Sequence, residues 1–327
     1  MNTIKIIPKF FIWKRSRLYI STKTLPLRKH TIGWNQLLVC IEGEMHIQLE
    51  NGEPQSTRSC LIKAGTVIDD FNINTSGTIL AIYYLSPISQ TFFLLQDQMP
   101  LASDGLSYDH PLEDALIHNL RFIQHQDLSA SQVHGLMQDV IIEPQLRKIT
   151  VKEFDPRVIE TLHNIRKTLL ENISISNYAA SVHVSESRLK KLFKEQIGIP
   201  ITKYRIQYRL IVATAYLAAG HSITDAAFRA GFSSSAHFST CYRDMIGIQP
   251  SALFLKPPYM NAYISDNVLE FISQSEKVSE KGLVTNGAYL RCISSTSVIP
   301  AHKVNCEAKE STLEWAGIQE ITRTHKQ

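Results

Sequence analysis

The stretch from Ser174 to Pro250 says one thing twice, and nothing else in the chain restricts the fold as much. Ser174-Ile175-Ser176-Asn177-Tyr178-Ala179-Ala180 returns 48 positions later as Ser222-Ile223-Thr224-Asp225-Ala226-Ala227-Phe228. After one inserted residue the echo resumes: Phe193-Lys194-Glu195-Gln196-Ile197-Gly198-Ile199 is answered by Tyr242-Arg243-Asp244-Met245-Ile246-Gly247-Ile248. A repeat that keeps charge order and a terminal glycine is one supersecondary element built twice.

Each unit divides into two helices at a tight turn. Ser222, with Asp225 three residues on, has capping-box spacing, so a short helix is predicted from about Ile223 to the Gly231 turn. The Ser233 to Ser235 cluster then starts a second helix with Phe238, Cys241, Tyr242 and Met245 on its core side. Ser234, Ser235, Ala236, His237, Ser239, Thr240 and Arg243 are the DNA-facing candidates of that helix. In the first unit Ser185 caps, and Leu189, Leu192, Phe193 and Gln196 hold the core positions. Ser185, Ser187, Arg188, Lys190, Lys191 and Lys194 are the corresponding candidates. A short helix, a tight turn and a second helix with a basic, small-polar outer face describe a helix-turn-helix.

Between the units, Pro200 to Ala219 reads as a helix with Ile201, Tyr204, Tyr208, Ile211, Ala215 and Leu217 on one side and Arg205 and Arg209 on the other, the last two assigned to phosphates. At ~1.5 Å per residue it spans roughly 30 Å, close to the ~34 Å between successive major grooves on one face of DNA.

With Ala227-Phe228-Arg229-Ala230-Gly231-Phe232-Ser233, His237-Phe238-Ser239 and the closing Ile246-Gly247-Ile248-Gln249-Pro250, residues 155 to about 255 resemble the AraC/XylS family of regulators. The resemblance implies a double helix-turn-helix domain that binds double-stranded DNA, with RNA polymerase and a second copy of the chain as further partners. The family normally places an Arg after Phe-Ser and a Phe-Lys further on. Here Thr240 and Tyr242-Arg243 stand there, which weakens base reading by the second unit.

Charge supports this placement. The formal net charge is +4 over 327 residues. Residues 155–256 carry thirteen Lys and Arg against seven Asp and Glu, while the segments on either side each carry −1. The polyanion-binding charge is thus confined to the doubled unit. Five cysteines (Cys40, Cys60, Cys241, Cys292, Cys306) without Cys-x-x-Cys spacing favour reduced thiols and a cytoplasmic location. No apolar run reaches membrane-spanning length.

The first hundred residues read as strands: Leu37 to Ile41, Met45 to Leu49, Cys60 to Lys63, Thr66 to Ile68 and Ile79 to Leu85, with Asn51-Gly52 as a hairpin signal. Short strands at regular spacing suggest a small barrel or sandwich. Gln36 to Glu44, followed by Ile62-Lys63-Ala64-Gly65-Thr66, resembles a cupin-type sensor domain. Metal-binding cupins gather several His and a carboxylate; His46 stands alone, so neither a metal nor another cofactor is assigned. His30, Trp34, Tyr83 and Tyr84 are the candidate lining of an organic-ligand pocket, against the alternative that they simply fill the barrel.

Two helices follow, one from Asp109-His110-Pro111 and one from Ser129 with Gln132. The expected fold is α+β and multidomain: an N-terminal cupin-like β-barrel with a helical pair (residues 1–143), a linker (144–154), an all-α double helix-turn-helix domain (155–256) and a poorly ordered tail (257–327), for which a docked appendage is the second reading and a partner-binding segment the third. On that scheme, deletion from Tyr259 onward leaves DNA binding intact. The expected function is a sequence-specific transcription regulator answering to a small organic effector, with no catalytic residues. The alternatives are a cupin-type enzyme fused to a DNA-binding module, and a regulator whose first domain only dimerises.

Overall fold

Successive residues of a strand face opposite sides of a sheet, and here both sides of the main strands are apolar. Phe10 and Ile12 alternate with Phe11 and Trp13, and Leu38 and Cys40 with Leu37, Val39 and Ile41, all of them buried. Such strands need cover on two faces. The computed structural model describes residues 7–13, 16–23, 29–48, 54–69, 73–103, 105–146, 149, 151–246, 249–255, 260–265 and 268.

The main sheet has eight strands: β1 (Lys9–Ile12), β2 (Ser16–Ile20), β4 (Asn35–Glu42), β7 (Ser59–Ile62), β10 (Ile79–Leu85), β11 (Leu101–Ser103), β12 (Leu106–Tyr108) and β13 (Asn261–Ile264). Their order is β11-β12-β7-β4-β10-β2-β1-β13, antiparallel except for the parallel pair β1–β13. Two small sheets accompany it. One pairs β3 (His30–Thr31) with β8 (Val67–Ile68), and the other joins β5 (Met45–Ile47), β6 (Gln55–Thr57) and β9 (Ile73–Asn74). Ile32, Met45, Ile47, Ile68 and Ile73 from this second layer share a core with Leu38, Cys40 and Ile82. The expected closed β-barrel is corrected to an open sandwich. Closure would require the edge beside β1 to find another strand of the first half, and β13 occupies it. The Asn51-Gly52 turn lies outside the described residues, but β5 and β6 pair antiparallel as that hairpin requires.

The opposite face is covered by α1 (Gln90–Gln98), α2 (Glu113–His125) and α3 (Ala130–Ile141), whose Phe92, Leu95, Leu116, Leu120, Val133 and Met137 pack on Phe11, Leu18, Leu37 and Val39. The capping box at Ser129 is formed: Ser129 Oγ accepts from Gln132 N at 3.2 Å, and Gln132 Oε1 accepts from Ser129 N at 2.9 Å. His110 ties the two helices together, its Nδ1 accepting from Leu112 N and its Nε2 donating to Ile141 O, each at 3.0 Å. That arrangement needs a neutral ring, and burial pushes the pKa down from 6.5 to about 4. In an unfolded chain the ring protonates near its ordinary value, so the stability this confers is complete above pH 6.5 and is lost as the pH falls toward about 4. Thermal melts across that window are expected to show a decline that a His110→Gln variant lacks.

The remaining helices are α4 (Pro156–Lys167), α5 (Ile175–Ser181), α6 (Glu186–Ile197), α7 (Ile201–Ala218), α8 (Ile223–Arg229), α9 (Ser235–Ile246) and α10 (Pro250–Phe254). Val158, Leu162, Tyr178, Leu189, Phe193 and Tyr204 make one core from α4 to the start of α7. The later part of α7 is buried all round, with Val212 to Ala218 shielded without a break. It joins Phe238 and Tyr242 of α9 to Phe10, Tyr19 and Ile82 of the sheet, so one core crosses from the N-terminal half into the second helix pair.

Two contacts bring backbone against backbone or side chain with no room to spare. A Cβ on Gly65 would lie 2.6 Å from Gly198 O, and one on Gly198 would lie 2.6 Å from Ala64 O. A Cβ on Gly33 would overlap the Gln207 side chain, the nearest atom standing 1.5 Å away.

The segment expected to be a linker is also engaged. Gln90 Oε1 accepts from Val151 N and Lys152 N at 3.0 and 3.1 Å, and Phe154 packs on Phe93 with ring centroids 5.7 Å apart. Beyond Pro257, Ala262, Tyr263 and Ile264 are buried, and Tyr263 stacks on Phe11 at 4.6 Å. The rest of the expected tail, with Cys292 and Cys306, lies outside the described residues. Cys40 and Cys60 are buried free thiols, and Cys241 is a half-buried one. Among the described residues no helix is long and apolar enough to cross a membrane.

Candidate nucleic-acid interface

The two repeats fold alike, and their caps show why. Ser174 Oγ accepts from Asn177 N at 3.2 Å and Ser222 Oγ from Asp225 N at 3.1 Å, each supplying an acceptor that a helix start otherwise lacks. Asp225 does not complete a capping box. Its carboxylate instead binds His221 Nδ1 at 2.5 Å and Arg229 Nε at 3.0 Å. The second unit turns at Gly231 with φ +81°, and the first turns 48 residues earlier at His183 with φ +56°. The repeat itself aligns these two positions, a signal that would have located the first turn although histidine is not a usual turn residue there.

The second helices of the two units follow. Ser185 Oγ accepts from Arg188 N at 3.3 Å to start α6, and Ser234 Oγ accepts from His237 N at 3.1 Å to start α9. Inward, α6 buries Leu189, Leu192 and Phe193, while Gln196 Oε1 accepts from Asp155 N at 2.9 Å. Outward, Ser185, Ser187, Arg188, Lys190, Lys191 and Lys194 are all exposed. Lys190 pairs with Glu186 at 2.5 Å and Lys191 reaches Glu195 at 3.9 Å. Such exposed pairs are worth only about 0.3–0.5 kcal/mol each, so a phosphate or a base edge can replace them. On α9, Ala236, His237, Thr240 and Arg243 are exposed, and Ser234, Ser235 and Ser239 are half-buried.

Two of the residues assigned to phosphates are used inside the protein. Arg205 Nη1 and Nη2 donate to Ile173 O at 2.7 Å and Glu171 O at 3.0 Å. Arg209 Nε and Nη2 donate to Leu169 O at 3.0 Å and Glu171 O at 3.3 Å. Both guanidinium groups therefore cap the α4–α5 connection, whose carbonyls have no helix to accept for, and their phosphate role is corrected to a structural one. Arg209 also borders the Gly231 turn, where a Cβ would lie 3.1 Å from its Nε, so it joins the α4–α5 connection to the turn of the second unit.

The four residues expected around a ligand separate as strand alternation dictates. His30, Trp34 and Tyr84 line one cavity between the sheet and the helices α7, α9 and α10. Tyr83 faces the other side, in the core under α1 to α3, and its hydroxyl donates to Ser16 Oγ at 3.3 Å. Its place in the candidate lining is corrected on that ground. Among the described residues no group of three or more His, Cys, Asp and Glu is placed to hold a metal ion.

A helix-turn-helix domain family matches residues 178–255. The transcriptional regulator GbdR of Pseudomonas aeruginosa is 34% identical over 96 residues, which cover 29% of this chain and 26% of that protein. The transcriptional activator RhaR of Yersinia pseudotuberculosis is 32% identical over 155 residues, 46% of this chain and 53% of RhaR. Residues 178–255 are thus similar to the helix-turn-helix domains of transcription regulators. The chain spans only about a quarter of the length of GbdR and half of that of RhaR. A structure of ToxT from Vibrio cholerae is similar over 73% of this chain and 97% of that one, with 14% identity and a TM-score of 0.45. The matched residues run from within α5 to Leu255, so the sheet, α1 to α4 and β13 lie outside them.

Proposed function

We propose that the chain is a sequence-specific transcription regulator that binds double-stranded DNA through both helix pairs, with α6 and α9 entering successive major grooves. What carries this is the doubled unit: two capped helices whose inner faces are core and whose outer faces are cationic or small and polar, in the only segment with a large positive balance. The sheet-bearing half is the effector-responsive part, the second copy of the chain and RNA polymerase are its protein partners, and it works in the cytoplasm.

The two reading helices differ in what they can demand of a base. Arg188, Lys190 and Lys191 on α6 are long donors able to reach guanine O6 and N7, where a specific contact is worth roughly 1–3 kcal/mol. Ala236, Ser239 and Thr240 on α9 suit thymine methyls and nearby phosphates. Lys191→Ala is therefore expected to relax preference in one half of the site, roughly tenfold at the affected base pair, and Thr240→Ala to change little. Lys194→Ala should weaken all sequences alike and flatten the salt dependence by about one unit. Randomised-site selection at two salt concentrations checks all three; a larger loss of specificity from Thr240→Ala would reverse the order of the two units.

A further inference from the structure

Two turns of the N-terminal half are bound into one block. The pair β3–β8 sets His30 beside Ile68 and Thr31 beside Val67. Just beyond it, Ile32 N donates to Thr66 O and Gly65 N to Ile32 O, each at 2.8 Å, and Ala64 N donates to Asn35 Oδ1 at 2.8 Å. Tied to each other in this way, the two turns move together.

The block meets the DNA-binding half at three places. Gly65 stands main chain to main chain against Gly198, the left-handed end of α6, and Ala64 enters the core of the first unit with Ile197 and Ile199. Gly33 lies against the buried side chain of Gln207, near the middle of α7. β3 rests on α9, and Ile32 and Ile68 share a core with Phe238 and Met245. The two units themselves have separate cores, one built on Tyr204 at the start of α7 and the other on Leu210 to Ala218 further along it. Besides α7 and Arg209, the block is therefore a third tie between them.

We propose that this block sets the spacing at which the chain reads two half-sites of DNA, with Gly65 and Gly33 as its positioning residues. The inference rests on the reading that both helix pairs enter the DNA, and it adds what holds their separation and twist. Two linked modules gain from each other only where the link lets both engage at once. Each base pair inserted between the half-sites moves one of them by about 3.4 Å and roughly a tenth of a turn. A held pair of reading helices thus suits one spacing, and a slackened pair accepts its neighbours.

The test is selection by the full chain from DNA whose two half-sites stand at every spacing across one helical turn. The unaltered chain should favour one spacing over those a base pair away by roughly tenfold. Gly65→Ala, which drives a methyl group against Gly198 O, should cut that preference to about threefold or shift its peak, while a single half-site is bound as before. Gly77→Ala is the control. Its φ of +75° imposes a backbone cost like that at Gly65 with φ +96°, yet a Cβ there meets nothing within 4 Å, so its profile should match that of the unaltered chain. Gly33→Ala should also broaden the profile, and adding Gln207→Ala, which removes the atoms it would strike, should sharpen it again. That pair carries the result even where Gly65→Ala fails to fold. Lost stability by itself lowers binding at every spacing alike and leaves the profile in place. A sharp profile that survives in the folded Gly65→Ala or Gly33→Ala chain overturns the proposal, as does equal broadening in Gly77→Ala. An unaltered chain that recognises one half-site and ignores spacing marks a different failure, that of the two-unit reading itself.

Discussion

A chain cut at Tyr259 is expected to lose most of its resistance to urea, although the cut lies beyond the DNA-binding domain. The strand removed, β13, lies parallel to β1 in register from Lys9↔Asn261 to Ile12↔Ile264. Tyr263 stacks on Phe11, and its hydroxyl donates to Asp127 Oδ1 at 3.1 Å, in the connection between α2 and α3. Met260, Ala262 and Ile264 enter the core shared with the second helix pair. Burying a large apolar side chain stabilises by about 1.5–3 kcal/mol, so Met260, Tyr263 and Ile264 together contribute roughly 5–9 kcal/mol, comparable with the ~5–15 kcal/mol by which a whole domain is stable. Equilibrium urea unfolding decides it: the midpoint should fall steeply for the cut at Tyr259. A shortened chain with the full-length midpoint would show that β13 stands outside the cooperative unit.

The second large effect is expected at Arg209. Its Nε and Nη2 serve Leu169 O and Glu171 O, and the group is half-buried, with its pKa lowered by burial first and by neighbouring Arg205 second. Hydrogen bonds from a charged donor contribute about 1.5–3 kcal/mol each, and removing the donor leaves carbonyls unserved. Discounted for partial exposure, Arg209→Met is expected to destabilise the chain by ~2–4 kcal/mol. DNA affinity measured below the unfolding range should keep the slope of its salt dependence. A slope reduced by about one unit with unchanged Tm would restore the phosphate contact.

What the sequence made legible follows the range of the interactions involved. Caps and turns are local, so Ser129, Ser185 and Ser222 could be placed from spacing alone, and Gly231 announced the second turn. The core faces of α6 and α9 were equally plain, since Leu189, Phe193, Phe238 and Tyr242 sit at helical spacing. By contrast, β13 pairs with a strand some 250 residues away, and a four-residue stretch beside Pro257-Pro258 gives no sign of its partner. Arg205 and Arg209 resembled a cationic stripe because the carbonyls they serve belong to an irregular segment that periodicity does not describe. Tyr83 could have been separated from Tyr84 by alternation along β10.

The contact between Gly65 and Gly198 bears on how such chains can be recombined. With a carbonyl 2.6 Å from where either Cβ would stand, the loop after β7 and the end of α6 fit only as a matched couple. A chimera joined within residues 144–154, giving this sheet another regulator's helices, inherits half of the couple. Unless the donor also ends its first reading helix in glycine, the halves will meet with a methyl group between two main chains and settle at a different angle. Family shuffling at that junction should therefore yield regulators that bind DNA but no longer hear the other half, and choosing donors by this one residue offers a way to keep the connection.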